Sequence, residues 1–222
     1  MLAVIAAMRN EAETLLSQSH PLRESTLCGK PVFEGSAFGT PFALVLAGIG
    51  KANAAAAAML AVSALKADAL LNFGLAGALS PQTEIASIFR ITRAVQYDFD
   101  LSEVNGTPVG TLDEYDTPYV PLADGESAYP KGTLATGDRF SDSLADLPLL
   151  HALGADVRDM EGAAVAHVAS FSGVPLYAYK AVSDRVGTGS VHEYEQRRDQ
   201  ALHALAAQMH IFFEEASNGK RV

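Results

Sequence analysis

Three acidic residues of this chain are placed where a carboxyl group can act as an acid or a base. Glu11, Glu161 and Asp184 each follow or end an apolar stretch. A carboxyl group that rigid elements hold and partly shield from water has a raised pKa, which suits it to proton transfer near neutral pH. The three together indicate carboxylate acid–base chemistry. Each one alone also fits an ordinary acid at a helix start or on the surface.

The spacings of several other catalytic motifs are missing. The chain has no GxSxG elbow and no HExxH, and its six histidines are scattered, so we predict neither a serine nucleophile nor a metal site. Residues 48–51 (GIGK) lack the spacing of a phosphate-binding loop, and residues 74–77 (GLAG) do not complete a dinucleotide fingerprint. Tight strand-to-helix packing explains these glycines, and so does a close approach of the backbone to a ligand.

Strands and helices alternate along the chain, which favours one α/β domain over residues 1–222 with a parallel or mixed sheet. We predict strands at 4–7, 31–39, 42–46, 69–73, 88–96, 132–137 and 175–181. We predict helices after an N-cap at Asn10 and at 52–65, 162–172 and 193–215, a tight turn at 74–77 and an irregular excursion at 98–130. Ligands of such sheets bind at the carboxyl ends of strands, where the three acids are expected.

Composition narrows the class of protein. The chain has 222 residues, 49% of them hydrophobic, but no uninterrupted apolar stretch that could span a membrane. Its net charge of −10 disfavours nucleic-acid binding. The lone Cys28 suits a reducing compartment, and the apolar N-terminus lacks the basic residues of a signal peptide. We therefore expect a cytoplasmic protein that acts on a small molecule.

Six short segments, in this order, resemble the nucleoside phosphorylase and nucleosidase superfamily, and within it the methylthioadenosine/S-adenosylhomocysteine nucleosidases. Each segment is short, but together they span nearly the whole chain. They are residues 5–11 (IAAMRNE), 47–54 (AGIGKANA), 72–77 (NFGLAG), 136–140 (TGDRF), 159–164 (DMEGAA) and 181–184 (AVSD).

The resemblance implies a three-layer α/β/α sandwich around a central mixed β-sheet, a homodimer, and no cofactor or metal. It also implies hydrolysis of the N-glycosidic bond of an adenine nucleoside, as in methionine salvage. Residues 96–102 resemble a segment that the family uses at its dimer interface, where it can reach the partner's substrate pocket.

The resemblance further implies a role for each acid. Cleavage builds positive charge on the sugar and negative charge on the departing base, as in glycoside hydrolysis. Asp184 delivers a proton to a purine ring nitrogen, Glu11 accepts a proton from the attacking water, and Glu161 binds the ribose hydroxyls. The residues expected to bind the substrate are Ala7, Ile49, Ala76, Gly77, Phe140, Ser141, Asp159, Met160, Lys180 and Ser183.

Four residues depart from the usual form of the family. Phe73 stands where a small or polar residue is typical, and Leu75 stands where serine is common. Lys180 replaces an arginine and lacks its bidentate geometry, and Asp159 replaces a glutamate. These departures bear on the choice of substrate more than on the reaction.

The acceptor of the sugar distinguishes hydrolysis from phosphorolysis. Related phosphorylases carry an arginine where this chain has Asn72, and Glu11 would repel phosphate, so we expect water as the acceptor. Arg9 and Arg90 are cations that keep phosphorolysis open. The motifs are also compatible with an aminodeoxyfutalosine nucleosidase and with a non-catalytic nucleoside-binding protein on the same fold.

Overall fold

A mixed β-sheet lies at the centre of the molecule, with α-helices on both of its faces. The computed structural model describes residues 1–139, 144–185 and 191–218. In these ranges the strands are β1 (Leu2–Ala6), β2 (Leu22–Leu27), β3 (Lys30–Ala37), β4 (Thr40–Leu46), β5 (Ala69–Ala78), β6 (Ile88–Gln96), β7 (Val120–Pro121), β8 (Lys131–Thr136), β9 (Val157–Asp159) and β10 (Leu176–Arg185). The α-helices are α1 (Arg9–Leu16), α2 (Lys51–Ser63), α3 (Ser102–Asn105), α4 (Leu147–Ala152), α5 (Gly162–Phe171) and α6 (Val191–Asn218).

The first half of the sheet follows from its apolar runs. β1 is buried along its whole length and lies parallel to both β4 and β5, as a continuous apolar strand covered on two faces should. β2, β3 and β4 form an antiparallel meander towards the edge, which confirms the hairpin predicted at 31–39 and 42–46.

The second half of the sheet closes on itself. β10 lies parallel to β5 on one side and antiparallel to β6 on the other. β6 pairs with β8, β8 with β9, and β9 with β5, which completes the ring. The sequence did not indicate this closure. It brings the carboxyl ends of β5, β9 and β10 to one place.

The helices form the outer two layers of the predicted sandwich. α2 packs against α5 on one face, where Ala54, Ala57, Ala58 and Ala61 are buried and allow a close approach. α1 packs against α6 on the other face, around the stacked rings of Tyr179 and Phe212. The three-layer α/β/α architecture with a mixed central sheet is confirmed. No helix in the described part of the chain is long and apolar enough to cross a membrane.

The tight turn predicted at 74–77 is wrong. β5 continues to Ala78 because β9 and β10 both pair with its last residues. Its two glycines leave room for side chains that pack against the strand. A Cβ at Gly74 would lie 2.6 Å from Oε1 of Glu11, and one at Gly77 would lie 2.8 Å from Oδ2 of Asp184. The glycine pattern therefore marks a close approach of acidic side chains to a strand.

The predicted N-cap at Asn10 is also wrong. Helix α1 begins at Arg9, and the residue before it, Met8, occupies the cap position. The Met8 N–H donates to Oε2 of Glu11 over 3.0 Å. The carboxylate of a residue in the first turn thus replaces the short polar cap that the sequence suggested. Asn10 instead accepts a hydrogen bond from the Glu11 N–H through its Oδ1.

The remaining elements lie close to their predicted positions. Residues 98–130 contain only the short elements α3 and β7, as expected of an irregular excursion. The closing helix predicted at 193–215 is α6. The strand predicted at 175–181 with its end at 182–184 is β10, and Asp184 belongs to the strand itself.

Candidate active site

A cavity of about 360 Å³ opens where β1, β5, β9 and β10 reach their carboxyl ends. The structure brings the three predicted acids together on its wall. The described residues that line the cavity are Ala7, Met8, Glu11, Ile49, Leu75, Ala76, Gly77, Arg139, Arg158, Asp159, Met160, Glu161, Ser183 and Asp184. This position agrees with the rule that α/β sheets bind ligands at their strand ends.

Glu11 is held in one orientation by two backbone donors. Its Oε2 accepts from the Met8 N–H over 3.0 Å, and its Oε1 accepts from the Leu75 N–H over 2.8 Å. The residue is only 3% exposed. Burial raises the pKa of the Glu11 carboxyl, and the nearby positive charge of Lys180 partly offsets this effect. A fixed carboxylate with a raised pKa is suited to accepting a proton.

Glu161 stands directly before helix α5 and faces the glycine-rich segment 48–51. Its Oε1 accepts from the Gly50 N–H over 2.8 Å. Gly50 has φ of 99°, a left-handed conformation that favours glycine, so the motif positions a donor for the carboxylate. Burial, helped by the negative charge of Asp159, raises the pKa of Glu161 to about 7. The carboxyl group thus exchanges its proton near neutral pH.

A local irregularity of β10 presents Asp184 to the cavity. The pairing register of β10 against β5 shifts between Val182 and Asp184, so Ser183 has no partner there. Such bulges redirect a side chain at the end of a strand. The Ser183 hydroxyl donates to Oδ1 of Asp184 over 2.7 Å, which leaves Oδ2 beside Gly77.

Lys180 does not line the cavity, contrary to the predicted substrate contact. It lies four residues before Asp184 on β10, and its Nζ is 2.9 Å from Oδ2 of Asp159. Both side chains are buried, at 3% and 1% exposed. The substrate contact was expected from the resemblance alone. The closure of the sheet places this residue behind the wall, where an acidic partner satisfies it.

The other predicted binding residues divide into two groups. Phe140 and Ser141 lie outside the described residues. The residues besides the three acids that the structure places on the wall as predicted are Ala7, Ile49, Ala76, Gly77, Asp159, Met160 and Ser183.

The sequence analysis missed four lining residues, of which two are cationic. Met8 and Leu75 donate their backbone N–H groups to Glu11, a role that any residue type except proline can fill. Arg139 and Arg158 were neighbours of the predicted Phe140 and Asp159, and that adjacency was the only available signal. In residues 1–139, 144–185 and 191–218, no cluster of three His, Cys, Asp or Glu side chains could hold a metal ion.

A concave site with three carboxyl groups, two of them with raised pKa values, at the strand ends of an α/β sheet defines an enzyme that acts on a small molecule. The chain belongs to the phosphorylase superfamily, whose family model matches residues 1–215.

Two relatives illustrate the similarity within this superfamily. The 5′-methylthioadenosine/S-adenosylhomocysteine nucleosidase of Bacillus pumilus is 30% identical over 221 residues, which cover 90% of this chain and 92% of the relative. The aminodeoxyfutalosine nucleosidase of Campylobacter jejuni is 27% identical over 207 residues, which cover 88% of this chain and 90% of the relative.

Solved structures share the fold over almost the whole chain. The 5′-methylthioadenosine/S-adenosylhomocysteine nucleosidase of Helicobacter pylori, in complex with butyl-thio-DADMe-Immucillin-A, superimposes with a TM-score of 0.89 at 23% identity. The futalosine hydrolase of the same organism gives a TM-score of 0.89 at 22% identity. Both alignments cover 96% of this chain and 97% of the other. These two likenesses concern the fold.

Proposed function

We propose that this protein hydrolyses the N-glycosidic bond of an adenine nucleoside of the 5′-methylthioadenosine/S-adenosylhomocysteine type and releases adenine and a ribose derivative. The observation that carries the proposal is the meeting of Glu11, Glu161 and Asp184 on one cavity wall. The similarity to the nucleosidase of Bacillus pumilus supports the substrate class. The family match over residues 1–215 supports a single catalytic domain.

In the proposed reaction, Asp184 makes the purine a better leaving group. Its Oδ2 lies beside Gly77, whose missing side chain leaves room for the carboxyl group, and Asp184 lines the cavity that would receive the base. A proton passes from the Asp184 carboxyl to a ring nitrogen as the bond to the sugar breaks. The base then leaves as a neutral molecule, and the carboxylate remains to be reprotonated from solvent.

The other two acids act on the sugar. Glu11 takes a proton from water as the water oxygen bonds to the anomeric carbon. Glu161 accepts hydrogen bonds from the ribose hydroxyls, and its negative charge favours the cationic sugar of the transition state. Met160 packs an adaptable apolar side chain against the bound nucleoside.

The two arginines that kept phosphorolysis open have other partners. Arg9 is exposed, and its Nε pairs with Glu13 over 2.7 Å on the surface of α1. Arg90 is buried, and its Nη1 pairs with Glu215 over 2.7 Å on the far side of β10. Neither guanidinium belongs to the cavity wall.

The Nε of Arg158 lies near Gly77 and Asp184, the acid that the proposal assigns to the base. A Cβ at Gly77 would lie 2.8 Å from Asp184 and 3.4 Å from Nε of Arg158, whereas a Cβ at Gly74 would meet Glu11. The two glycines are three residues apart, a rise of about 10 Å along a strand. A phosphate attacking the sugar would therefore meet the carboxylates of Glu11 and Glu161, which repel it. Water is uncharged, so the carboxylates do not repel it.

A nucleosidase for aminodeoxyfutalosine is the second candidate, supported by the relative in Campylobacter jejuni. It shares the proposed bond cleavage and differs only in the substituent on the five-prime carbon of the sugar.

We further propose a cytoplasmic homodimer with a role in methionine salvage. The free Cys28 agrees with a reducing compartment. The segment 96–102, which resembles the dimer-interface segment of the family, supports the dimer. A monomeric mass in solution at micromolar concentration would contradict the dimer.

A panel of nucleosides tests the proposed function. 5′-Methylthioadenosine, S-adenosylhomocysteine, aminodeoxyfutalosine and inosine are incubated with the protein, with and without phosphate, and free base and free sugar are both measured. We expect adenine release at equal rates in the two buffers, with free ribose derivative as the second product. A rate that depends on phosphate, with a sugar phosphate as product, would show a phosphorylase. Binding without turnover would show a non-catalytic binding protein.

A further inference from the structure

A buried ammonium group lies behind the acidic wall of the cavity. Lys180 is 3% exposed at its side chain, and its Nζ is 2.9 Å from Oδ2 of Asp159. Bringing a lysine charge out of water is costly unless an opposite charge compensates it. A residue that only filled space on β10 would not need this charge.

Asp159 is itself held by three groups from different elements. Its Oδ1 accepts from the Thr136 hydroxyl over 2.6 Å, and its Oδ2 accepts from the Gly162 N–H over 2.8 Å as well as from Lys180. Gly162 is the first residue of α5, whose N-terminus favours a negative charge. The position of the Lys180 ammonium is therefore fixed by β8, β9 and α5 together.

The ammonium of Lys180 contacts Asp159 and lies within the electrostatic influence of Glu11 and Glu161. Burial by itself would lower the pKa of Lys180, but the charges of Asp159, Glu11 and Glu161 outweigh it, and the pKa is raised. The same positive charge lowers the pKa values of Glu11 and Glu161, against the effect of their burial. The lysine is thus protonated, and its positive charge acts on all three acids.

The neighbouring strands place no cation directly beside Lys180. On the strands that pair with β10, Lys180 stands opposite Gly74 of β5 and Phe89 of β6. The adjacent Tyr179 points to the opposite face, towards α6, where Arg90 and Glu215 pair with each other. Alternation of side chains along a strand separates that ion pair from the cavity.

We propose that Lys180 is a positioning residue: its ammonium pairs with Asp159 and offsets the negative charge of that residue, which keeps Glu11 and Glu161 charged, without touching the substrate. This inference rests on the proposed function of the site. It differs from the substrate contact that the resemblance implied, because the ammonium lies behind the cavity wall and acts only through other residues.

A double-mutant cycle, in which each substitution neutralises one charge, tests the inference through the pH dependence of kcat/KM. Lys180→Met removes the positive charge, so the carboxyl groups hold their protons to higher pH. The acidic limb of the pH profile, where kcat/KM falls as the pH is lowered, therefore moves up by about one pH unit. Asp159→Asn removes a negative charge, so the acidic limb moves down. The double variant has the net charge of the wild type, and its limb returns to within about a third of a unit of the wild-type position.

The matched control is an ion pair of the same types on the surface. Lys131 and Asp124 are 2.6 Å apart and half exposed or more. Lys131→Met and Asp124→Asn should leave the acidic limb unmoved, because solvent screens that pair. KM should change less than about threefold in Lys180→Met, since kcat/KM is affected through ionisation and not through substrate contact.

Three results would overturn the inference. The first is an acidic limb that stays in place in Lys180→Met. The second is a double variant that behaves like Lys180→Met, as a purely structural role would produce. The third is an unmoved acidic limb in Asp159→Asn, which decides the question if circular dichroism shows that Lys180→Met does not fold. Failure of this inference can be distinguished from failure of the proposed function, because in the second case the wild type itself would release no adenine.

Discussion

Asp184→Asn should reduce kcat by about a hundred- to ten-thousand-fold while the protein remains folded. The asparagine amide can still accept the hydrogen bond from the Ser183 hydroxyl, so the bulge at the end of β10 should persist. It cannot transfer a proton to the purine, and the base must then leave as an anion. Adenine release measures kcat, and thermal unfolding measures the integrity of the fold.

The matched control for this variant is Asp113→Asn, an identical substitution at an exposed residue of the excursion. It should retain wild-type kcat and KM. Full adenine release by Asp184→Asn would remove Asp184 from the mechanism. An unfolded variant would be replaced by Asp184→Ser, which removes the same proton in a smaller side chain.

Glu11→Gln should lose hydrolysis and retain nucleoside binding. The glutamine amide cannot accept a proton from water, so we expect a loss in kcat of about a hundredfold or more. The carboxylate also accepts from two backbone N–H groups, those of Met8 and Leu75, and the amide offers only one oxygen. The free energy of unfolding should therefore fall by about 1–3 kcal/mol, the cost of one unsatisfied buried donor.

Calorimetric titration with a substrate nucleoside separates binding from turnover in this variant. Glu13→Gln is the control, because Glu13 lies on the same helix but is exposed, and its side chain pairs with Arg9. It should leave kcat and affinity unchanged. A folded Glu11→Gln protein that binds no nucleoside, or one that hydrolyses it at the wild-type rate, would contradict the role of Glu11 as the base.

The local pattern of the sequence predicted an α/β domain with a parallel or mixed sheet and the grouping of the acids, whereas the three-layer architecture was implied by the family resemblance. Apolar runs such as β1 and β6 have a period and length that define buried strands, and the strand-end rule then places Glu11, Glu161 and Asp184 near one another. Both kinds of inference use information that is local in the chain. This explains why they were correct without any knowledge of the tertiary contacts.

The features that the sequence did not predict depend on contacts between distant segments. The glycines of β5 resembled a turn, but β9 and β10 pair with them and extend the strand. The ion pair of Lys180 with Asp159 joins β10 to β9 only after the sheet has closed. The start of α1 at Arg9 depends on the Glu11 carboxylate, which takes the place of the expected cap.

A crystal structure of Asp184→Asn with bound 5′-methylthioadenosine is the most direct test of the central claim, that three carboxyl groups surround one nucleoside. We expect a purine ring nitrogen within hydrogen-bond distance of the side chain at position 184, ribose hydroxyls on Glu161, and a water between Glu11 and the anomeric carbon. A nucleoside bound outside this cavity, or one with its sugar at Gly77 and its base at Glu11, would contradict the claim.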